Sequence, residues 1–340
     1  MMKLIVPKYV KKFKCVAADC KDSCCVDWEI PIDREALERY KTADGEMKSK
    51  LEKNIEYGPD GAHFVLKNGR CSFLRDDGLC EMICAMGEGA LCDICREHPR
   101  YYTVLGDVTY GGIGLCCESA AELILSENKP HEYCEIQNYL GEYQYCDKEI
   151  IDKILPIKQT IVDIFADKTV NYGVKINRVL EKVVELQKEI DGEEFVPFPD
   201  MDKDLAKSAT LEVFNGFEYI GEELLPLIDK GLDKLLSGVE LGREAKSYLD
   251  NILIYFTDRY MTAACSSGDA LSALTVILTS GLVIGALFAA EDNVDFSRAV
   301  YIAHLYSKEI EYNEDSLAVI EEMTGSGLLD AVCALFKYLI

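Results

Sequence analysis

Thirteen of the fifteen cysteines in this chain lie before residue 147, and eleven of them fall between Cys15 and Cys117. Their spacing is short and patterned. The first run is Cys15-x4-Cys20-x3-Cys24-Cys25; then come Cys71-x8-Cys80-x3-Cys84, Cys92-x2-Cys95 and the pair Cys116-Cys117. Thiols at this density are oxidised to disulfides, bound to metal, or kept reduced for chemistry. Iron–sulfur clusters and structural zinc both use thiolate ligands. Zinc sites favour two C-x2-C knuckles, and only Cys92-x2-Cys95 has that form. A C-x3-C-x2-C run is absent, because Gly87 stands where the third cysteine would follow Cys80 and Cys84. Adjacent side chains in extended backbone point opposite ways, so Cys24 and Cys25 are not expected to serve one metal atom. One faces a centre while the other packs or serves a second. Cys265 and Cys333 sit in apolar helical pattern and read as buried small hydrophobes, as do Cys134 and Cys146.

The elements that must position these thiols divide the chain by composition. Residues 1–147 carry nearly all the cysteine, the single tryptophan Trp28, and many turn signals, among them Gly58-Pro59-Asp60-Gly61, Asn68-Gly69 and Asp76-Asp77-Gly78. A helix is expected from Arg34 to Tyr40 with Asp33 as its N-cap, and short strands at His63–Leu66 and Tyr101–Tyr110, the latter broken at Gly106-Asp107. Residues 148–340 read as helix almost throughout. Ile150, Ile154, Ile157, Ile161 and Phe165 recur at steps of three and four, with Pro156 predicting a kink or restart. Further helical stretches are expected at 174–190, 217–236, 242–265, 296–310, 316–323 and from Leu328. Asp191 to Met201, with Pro197 and Pro199, reads as a loop. The expected fold is mainly α: a cysteine-rich, loop-rich metal-binding domain with short strands at 1–147, then an all-helical domain at 148–340.

Composition excludes some classes. The net charge is -24, from 60 acidic and 36 basic residues, which argues against nucleic acid and anionic membranes as partners. The opening MMKLIVPKYVKKFKC carries only Leu4–Val6 as an apolar stretch, too short for a secretory h-region. A cytoplasmic location is expected, and there a cysteine cluster is more often metal-binding or catalytic than disulfide-bonded. The uncharged run from Ala270 to Ala290 is long enough to cross a bilayer. It lacks basic anchors and an aromatic belt and has acidic flanks, so it is expected to be the central helix of a soluble bundle.

With these residues in hand, the run Phe13-Lys14-Cys15-x4-Cys20-Lys21-Asp22-Ser23-Cys24-Cys25-x2-Trp28-x-Ile30-x-Ile32-Asp33 resembles the opening of the flagellin lysine-N-methylases (FliB-like proteins), within a broader cysteine-rich class described as zinc- or iron-chelating. The likeness continues through Cys71-Ser72-Phe73-Leu74, Leu79-Cys80, Gly87-Glu88-x2-Leu91-x3-Cys95-x2-His98-Pro99-Arg100 and Leu115-Cys116-Cys117. More weakly it reaches Asn251–Tyr260 and Tyr306–Glu311. The resemblance implies methyl transfer from S-adenosyl-L-methionine (SAM) to lysines of flagellin, with a [4Fe-4S] cluster held by the N-terminal cysteines. The positions it carries over are Cys15, Cys20, Cys24, Cys25, Cys71, Cys80, Cys95 and Cys117. The sequence departs from the pattern where Asp27 stands for a usual Gly, His98 for an aromatic, and Glu118-Ser119 for Pro-Glu. Cys84, Cys92 and Cys116 are additional.

No Gly-rich loop after a strand offers a conventional SAM site; Gly111-Gly112-Ile113-Gly114 is the nearest and reads as a turn or strand feature. SAM could instead bind a cluster iron through its amino and carboxylate groups. Arg100 is a candidate partner for the SAM carboxylate or a cluster sulfide, against an ordinary salt bridge. Trp28 is a candidate for shielding the metal or stacking on adenine. Of His63, His98, His131 and His304, only His98 lies near the cysteines in sequence. No catalytic base is identified. Zinc remains the alternative metal, and a non-catalytic zinc- or iron-binding scaffold the alternative function. A ferredoxin-like electron carrier would not need so long a helical half.

Overall fold

The computed structural model describes residues 2–59, 61–127, 132–139, 141, 143–192, 195–196 and 201–339. Asp60 and His131 lie outside these, as do residues 193–194 and 197–200 of the expected loop. The protein is mainly α and folds as two compact units. One is Phe13–Tyr101 with Cys117–Ser119; the other is Met1–Lys12, Tyr102–Cys116 and Ala120–Ile340. This division differs from the expected boundary at residue 147. Strands flanking the cysteine-rich region group with the helices, and cysteine density carries no information about strand pairing.

The cysteine unit is built from short pieces. Strands Pro31–Ile32, Gly61–Phe64 and Ile55–Gly58 form a three-stranded antiparallel sheet, with Gly61–Phe64 in the middle. A hairpin pairs Leu66–Lys67 with Arg70–Cys71. Its turn, Asn68-Gly69, has φ of 54° and 74°, the left-handed pair that Asn-Gly favours. The Asp27 N–H donates to the Gly69 carbonyl at 2.6 Å, and Asp27 itself sits at φ 62°. That left-handed backbone suits glycine best and tolerates Asp, which accounts for the exchange at this position. Helix Arg34–Lys41 is capped by Asp33, whose carboxylate accepts from the Ala36 N–H, as the sequence predicts. Ile30, Ile32, Ala36, Tyr40, Leu51 and Phe64 belong to a core that also contains the buried thiols of Cys71 and Cys92.

In the other unit Met2–Pro7, read in the sequence only as too short for an export signal, is an inner strand. It pairs parallel with Val108–Ile113 and antiparallel with Tyr133–Tyr139, and Arg100–Leu105 flanks Val108–Ile113. Leu4 and Val6 alternate onto the buried face. Helix Lys148–Ala166 runs through Pro156 without a restart, and Thr160 donates its hydroxyl to the Pro156 carbonyl at 3.0 Å. Helix Ala270–Ala290 is long and apolar enough to cross a membrane and is buried within this unit along its length. It crosses helix Leu224–Leu236 so closely that a Cβ at Gly231 would stand 1.9 Å from the Ala286 carbonyl oxygen. The stretch expected to be helical from Phe217 begins only at Leu224. The backbone before it turns so that Ile220 and Gly221 donate their N–H groups to Glu309, at 2.7 and 3.0 Å.

Part of the acidic excess has a local use. Asp147, Asp202, Asp269 and Asp295 each accept a backbone N–H at a helix start, where carboxylates satisfy otherwise unpaired donors.

Candidate metal centre

None of the fifteen cysteines is joined in a disulfide. The backbone brings Cys25, Cys71 and Cys80 together. The Cys71 N–H donates to the Cys25 carbonyl at 2.8 Å, Leu74 donates to the Cys71 carbonyl at 2.9 Å, and Leu74 bridges to Cys80. Cys92 and Cys95 stand three residues apart across the start of the short helix Asp93–Glu97. Cys71 and Cys92 are buried in the core of this unit, and Cys25, Cys80 and Cys95 pack against it.

The thiols sense one another. Burial pushes Cys71 up to about 11, with Cys25, Cys80 and Cys92 adding to the rise. Burial also raises Cys80. Hydrogen bonding joins Cys92 to Cys95, so Cys92 is the easier thiolate and Cys95 keeps its proton. Cys24 and Cys25 share a proton in the same way. Cys25 is held down to about 7 by its hydrogen bond with Cys24, while Cys24 is raised.

Cys15, Cys20, Cys24 and Cys117 lie nearer solvent, and Cys24 is joined to Cys25 by their side-chain hydrogen bond. Cys15 and Cys24 are exposed, Cys20 and Cys117 half-buried. Cys24 feels the charges of Cys15 and Cys117, and Cys20 that of Cys15. An ion pair of Lys21 with Glu118 at 3.3 Å ties the Cys20 segment to the Cys117 segment. The sequence treated both groups as one ligand set. Among the described residues, no three His, Cys, Asp or Glu side chains converge as a set that could hold a metal ion.

The additional thiols separate. Cys92 joins the buried group, Cys84 is exposed on helix Glu81–Met86, and Cys116 is buried in the other unit beside Tyr312. Arg100 lies with its guanidinium 5.3 Å from the centre of the Phe13 ring, two residues before Cys15. The Trp28 ring meets His98 edge-on, with centroids 6.0 Å apart. An imidazole there serves as the flat partner that an aromatic provides in the pattern. Gly114, from the glycine cluster, follows strand Val108–Ile113, and a Cβ on it would stand 2.2 Å from the Tyr312 hydroxyl, so close packing requires glycine here.

Sequence reasoning missed two donors beside the thiols. Among the described residues, the buried Tyr40 hydroxyl has no hydrogen-bond partner, and neither has the buried Arg39 Nε. Tyr40 is only 4% exposed, and burial together with the charges of Cys92 and Cys95 holds its phenol above the usual range. The Arg39 Nη2 donates to the Leu91 carbonyl at 3.0 Å, next to Cys92. Their signal was the Arg39-Tyr40 pair at the end of the capped helix, where nothing in the spacing marks the direction the side chains take.

The helical unit carries a second polar concentration. Two π-helical turns, Thr257–Met261 and Ser307–Glu311, interrupt its helices; such turns recur at functional sites. Glu311 accepts from Tyr255 at 2.7 Å, from Arg259 at 2.9 Å and from Ser307. Elsewhere in this unit a cleft of about 1010 Å³ opens beside the buried pair Lys175–Asp250, whose charges are 2.7 Å apart.

Comparison with known proteins gives a limited match. No family model and no solved structure matches the chain. Over 130 residues it is 25% identical to the flagellar biosynthetic protein FliU of Salmonella muenchen, covering 36% of this chain and 76% of that protein. It is also 25% identical to the lysine-N-methylases of Salmonella typhimurium and Salmonella choleraesuis, over 129 residues in each. Those matches cover 36% of this chain and 32% of each methylase. Over about a third of its length, then, the chain is similar to proteins named as lysine-N-methylases and as a flagellar biosynthetic protein.

Proposed function

We propose that this protein is a SAM-dependent protein-lysine N-methyltransferase that acts on flagellin in the cytoplasm and uses an iron–sulfur cluster bound by its cysteine unit. The observation that carries the reading is the gathering of cysteines outside disulfides in one small unit, in a chain similar over about a third of its length to named lysine-N-methylases. The donor chemistry fits an iron–sulfur centre, since thiolate is its ordinary ligand. The unpartnered Tyr40 and Arg39 donors fit as well, because an anionic cluster accepts hydrogen bonds from its surroundings. The thiols would need side-chain rotation to converge, as expected where metal binding completes folding.

Cys15, Cys20, Cys24, Cys25, Cys71, Cys80, Cys95 and Cys117 supply the ligands in this reading. A cluster iron with an open position would fix SAM by its amino and carboxylate groups. The chain's own residues then do the rest. Arg100 lies against Phe13, two residues before Cys15, where its guanidinium can pair with a carboxylate, and Trp28, three residues after Cys25, packs its ring against His98. The substrate lysine must arrive neutral, with its amine in line with the methyl–sulfur bond. Its lone pair forms the new C–N bond as the C–S bond breaks, and the surplus proton leaves to water or a nearby carboxylate or tyrosine.

The test is methyl transfer in vitro. Anaerobically reconstituted protein is incubated with SAM and flagellin, and flagellin is read by intact mass. Mass gains of whole methyl groups on lysine are expected. An intact centre with no mass gain sinks the enzyme reading and leaves a metal-binding scaffold.

A further inference from the structure

We propose that the cleft beside Lys175 and Asp250 in the helical unit binds a phosphorylated small molecule of nucleotide size, with the phosphate held by Lys168, Arg243 and Lys246. The inference is independent of the cysteine unit and of methyl transfer.

Two helices frame the cleft. Tyr172–Asp191 and Arg243–Phe256 lie side by side, because the Tyr172 hydroxyl donates to the Lys246 carbonyl at 3.0 Å and Lys175 meets Asp250 at 2.7 Å. The two contacts advance in the same direction along both helices, so the helices run parallel and start beside each other. Residues from both starts line the cleft. A helix start carries unpaired N–H donors and the positive end of the backbone dipole, and two at one opening favour an anion. The first helix is capped by the Asn171 side chain. The second begins at Gly242 without a side-chain cap, so its first N–H groups keep their capacity for a ligand.

The charged side chains add to this. The buried Lys175 and Asp250 neutralise each other at the floor. Lys168, Arg243 and Lys246 then stand with Glu240 and Glu244 along the walls, in a chain of net charge -24. Lys168 is drawn to the second helix, where it donates to the Ser247 hydroxyl at 3.1 Å. Phosphate suits this arrangement, because its oxygens accept from backbone N–H groups and from Arg and Lys together. The cleft, about 1010 Å³, matches the upper end of small-molecule pockets, about 300–1,000 Å³, and has room for more than a lone phosphate ion. Glu240 and Glu244 accept from hydroxyl groups on the rest of the ligand, as a carboxylate does from a ribose.

Calorimetry on the full-length protein compares ADP, inorganic pyrophosphate and adenosine at one ionic strength. ADP and pyrophosphate are expected to bind saturably, ADP the tighter, and adenosine not to bind. In Arg243→Gln/Lys246→Gln both phosphates should bind at least about tenfold more weakly, as the loss of two charge-assisted hydrogen bonds implies. No binding of either phosphate to the wild type, equal binding to the double variant, or adenosine bound as tightly as ADP overturns the proposal. ADP bound no more tightly than pyrophosphate overturns the part given to Glu240 and Glu244. Should the double variant fail to fold, the wild type decides: lysine acetylation is mapped by peptide mass with and without pyrophosphate. Protection of Lys168 and Lys246, but not of the exposed Lys148, upholds the site. Equal protection of all three, or none, overturns it. Methyl transfer enters none of these readouts, so failure here leaves the proposed function standing.

Discussion

Asp33 and Asp93 lie 60 residues apart in sequence and are joined by a hydrogen bond from the Asp93 N–H to Asp33 Oδ2 at 2.7 Å. The other oxygen of the same carboxylate accepts from the Ala36 N–H at 2.8 Å. One side chain therefore starts two helices, Arg34–Lys41 and the short Asp93–Glu97 that carries Cys95 behind Cys92. Asp33→Ala should cost about 1–2 kcal/mol, from a lost cap and a second orphaned N–H. Urea unfolding measures the loss. In metal-free protein, alkylation of Cys92 and Cys95 should quicken in parallel.

The same carboxylate sets an acid response. Burial raises the pKa of Asp33, but the N–H groups of Ala36 and Asp93 lower it more, and the net value lies below 3.8. A carboxyl held down in the folded state stabilises above its unfolded value, and that contribution is lost as pH falls through the lower folded value. The stability difference between wild type and Asp33→Asn should hold steady from neutral pH to about 4 and shrink below it. A difference independent of pH across that window would show that the charge of Asp33 contributes nothing.

Glu311 is a buried carboxylate whose side chain is 1% exposed and whose charge is met by Arg259 at 2.9 Å. Removing one partner of such a pair strands the other. Glu311→Gln should destabilise by about 3 kcal/mol or more, and adding Arg259→Met should recover part of that loss. Thermal melting of the single and double variants separates a paired network from two independent contributions.

Gly231 faces backbone, which cannot move aside as a side-chain tip can. Gly231→Ala should part helices Leu224–Leu236 and Ala270–Ala290 and cost about 1–3 kcal/mol, even though alanine is the better helix former. A neutral or stabilised variant would show that the two helices tolerate a wider spacing.

Several elements were legible in the sequence because their signals are local. Asp33 before an amphipathic run gives a capped helix, Asn68-Gly69 gives a tight hairpin, and Ala270–Ala290, apolar on every side, gives a core helix. Long-range pairing was not legible. Met2–Pro7 has no neighbour in sequence that announces its parallel partner Val108–Ile113. Pro156 predicts a kink or a restart, and the helix runs through it without a restart, with Ile154 and Ile161 buried on either side. The helix expected from Phe217 loses its first residues to Glu309, which takes their N–H groups from 88 and 89 positions away.

By itself the sequence determined the chemistry on offer: many thiols, an excess of acidic over basic residues, and helical periodicity over the second half. Spacing of this kind limits which residues are donors, because thiolate binding depends on residue type. Tertiary structure decided their grouping. It drew Cys92 into the core with Cys25 packed against it, sent Cys116 to Tyr312, and buried the unpartnered hydroxyl of Tyr40 in the same core. Those outcomes depend on which backbone segments hydrogen-bond between positions far apart in the chain, and no local pattern of side chains encodes that.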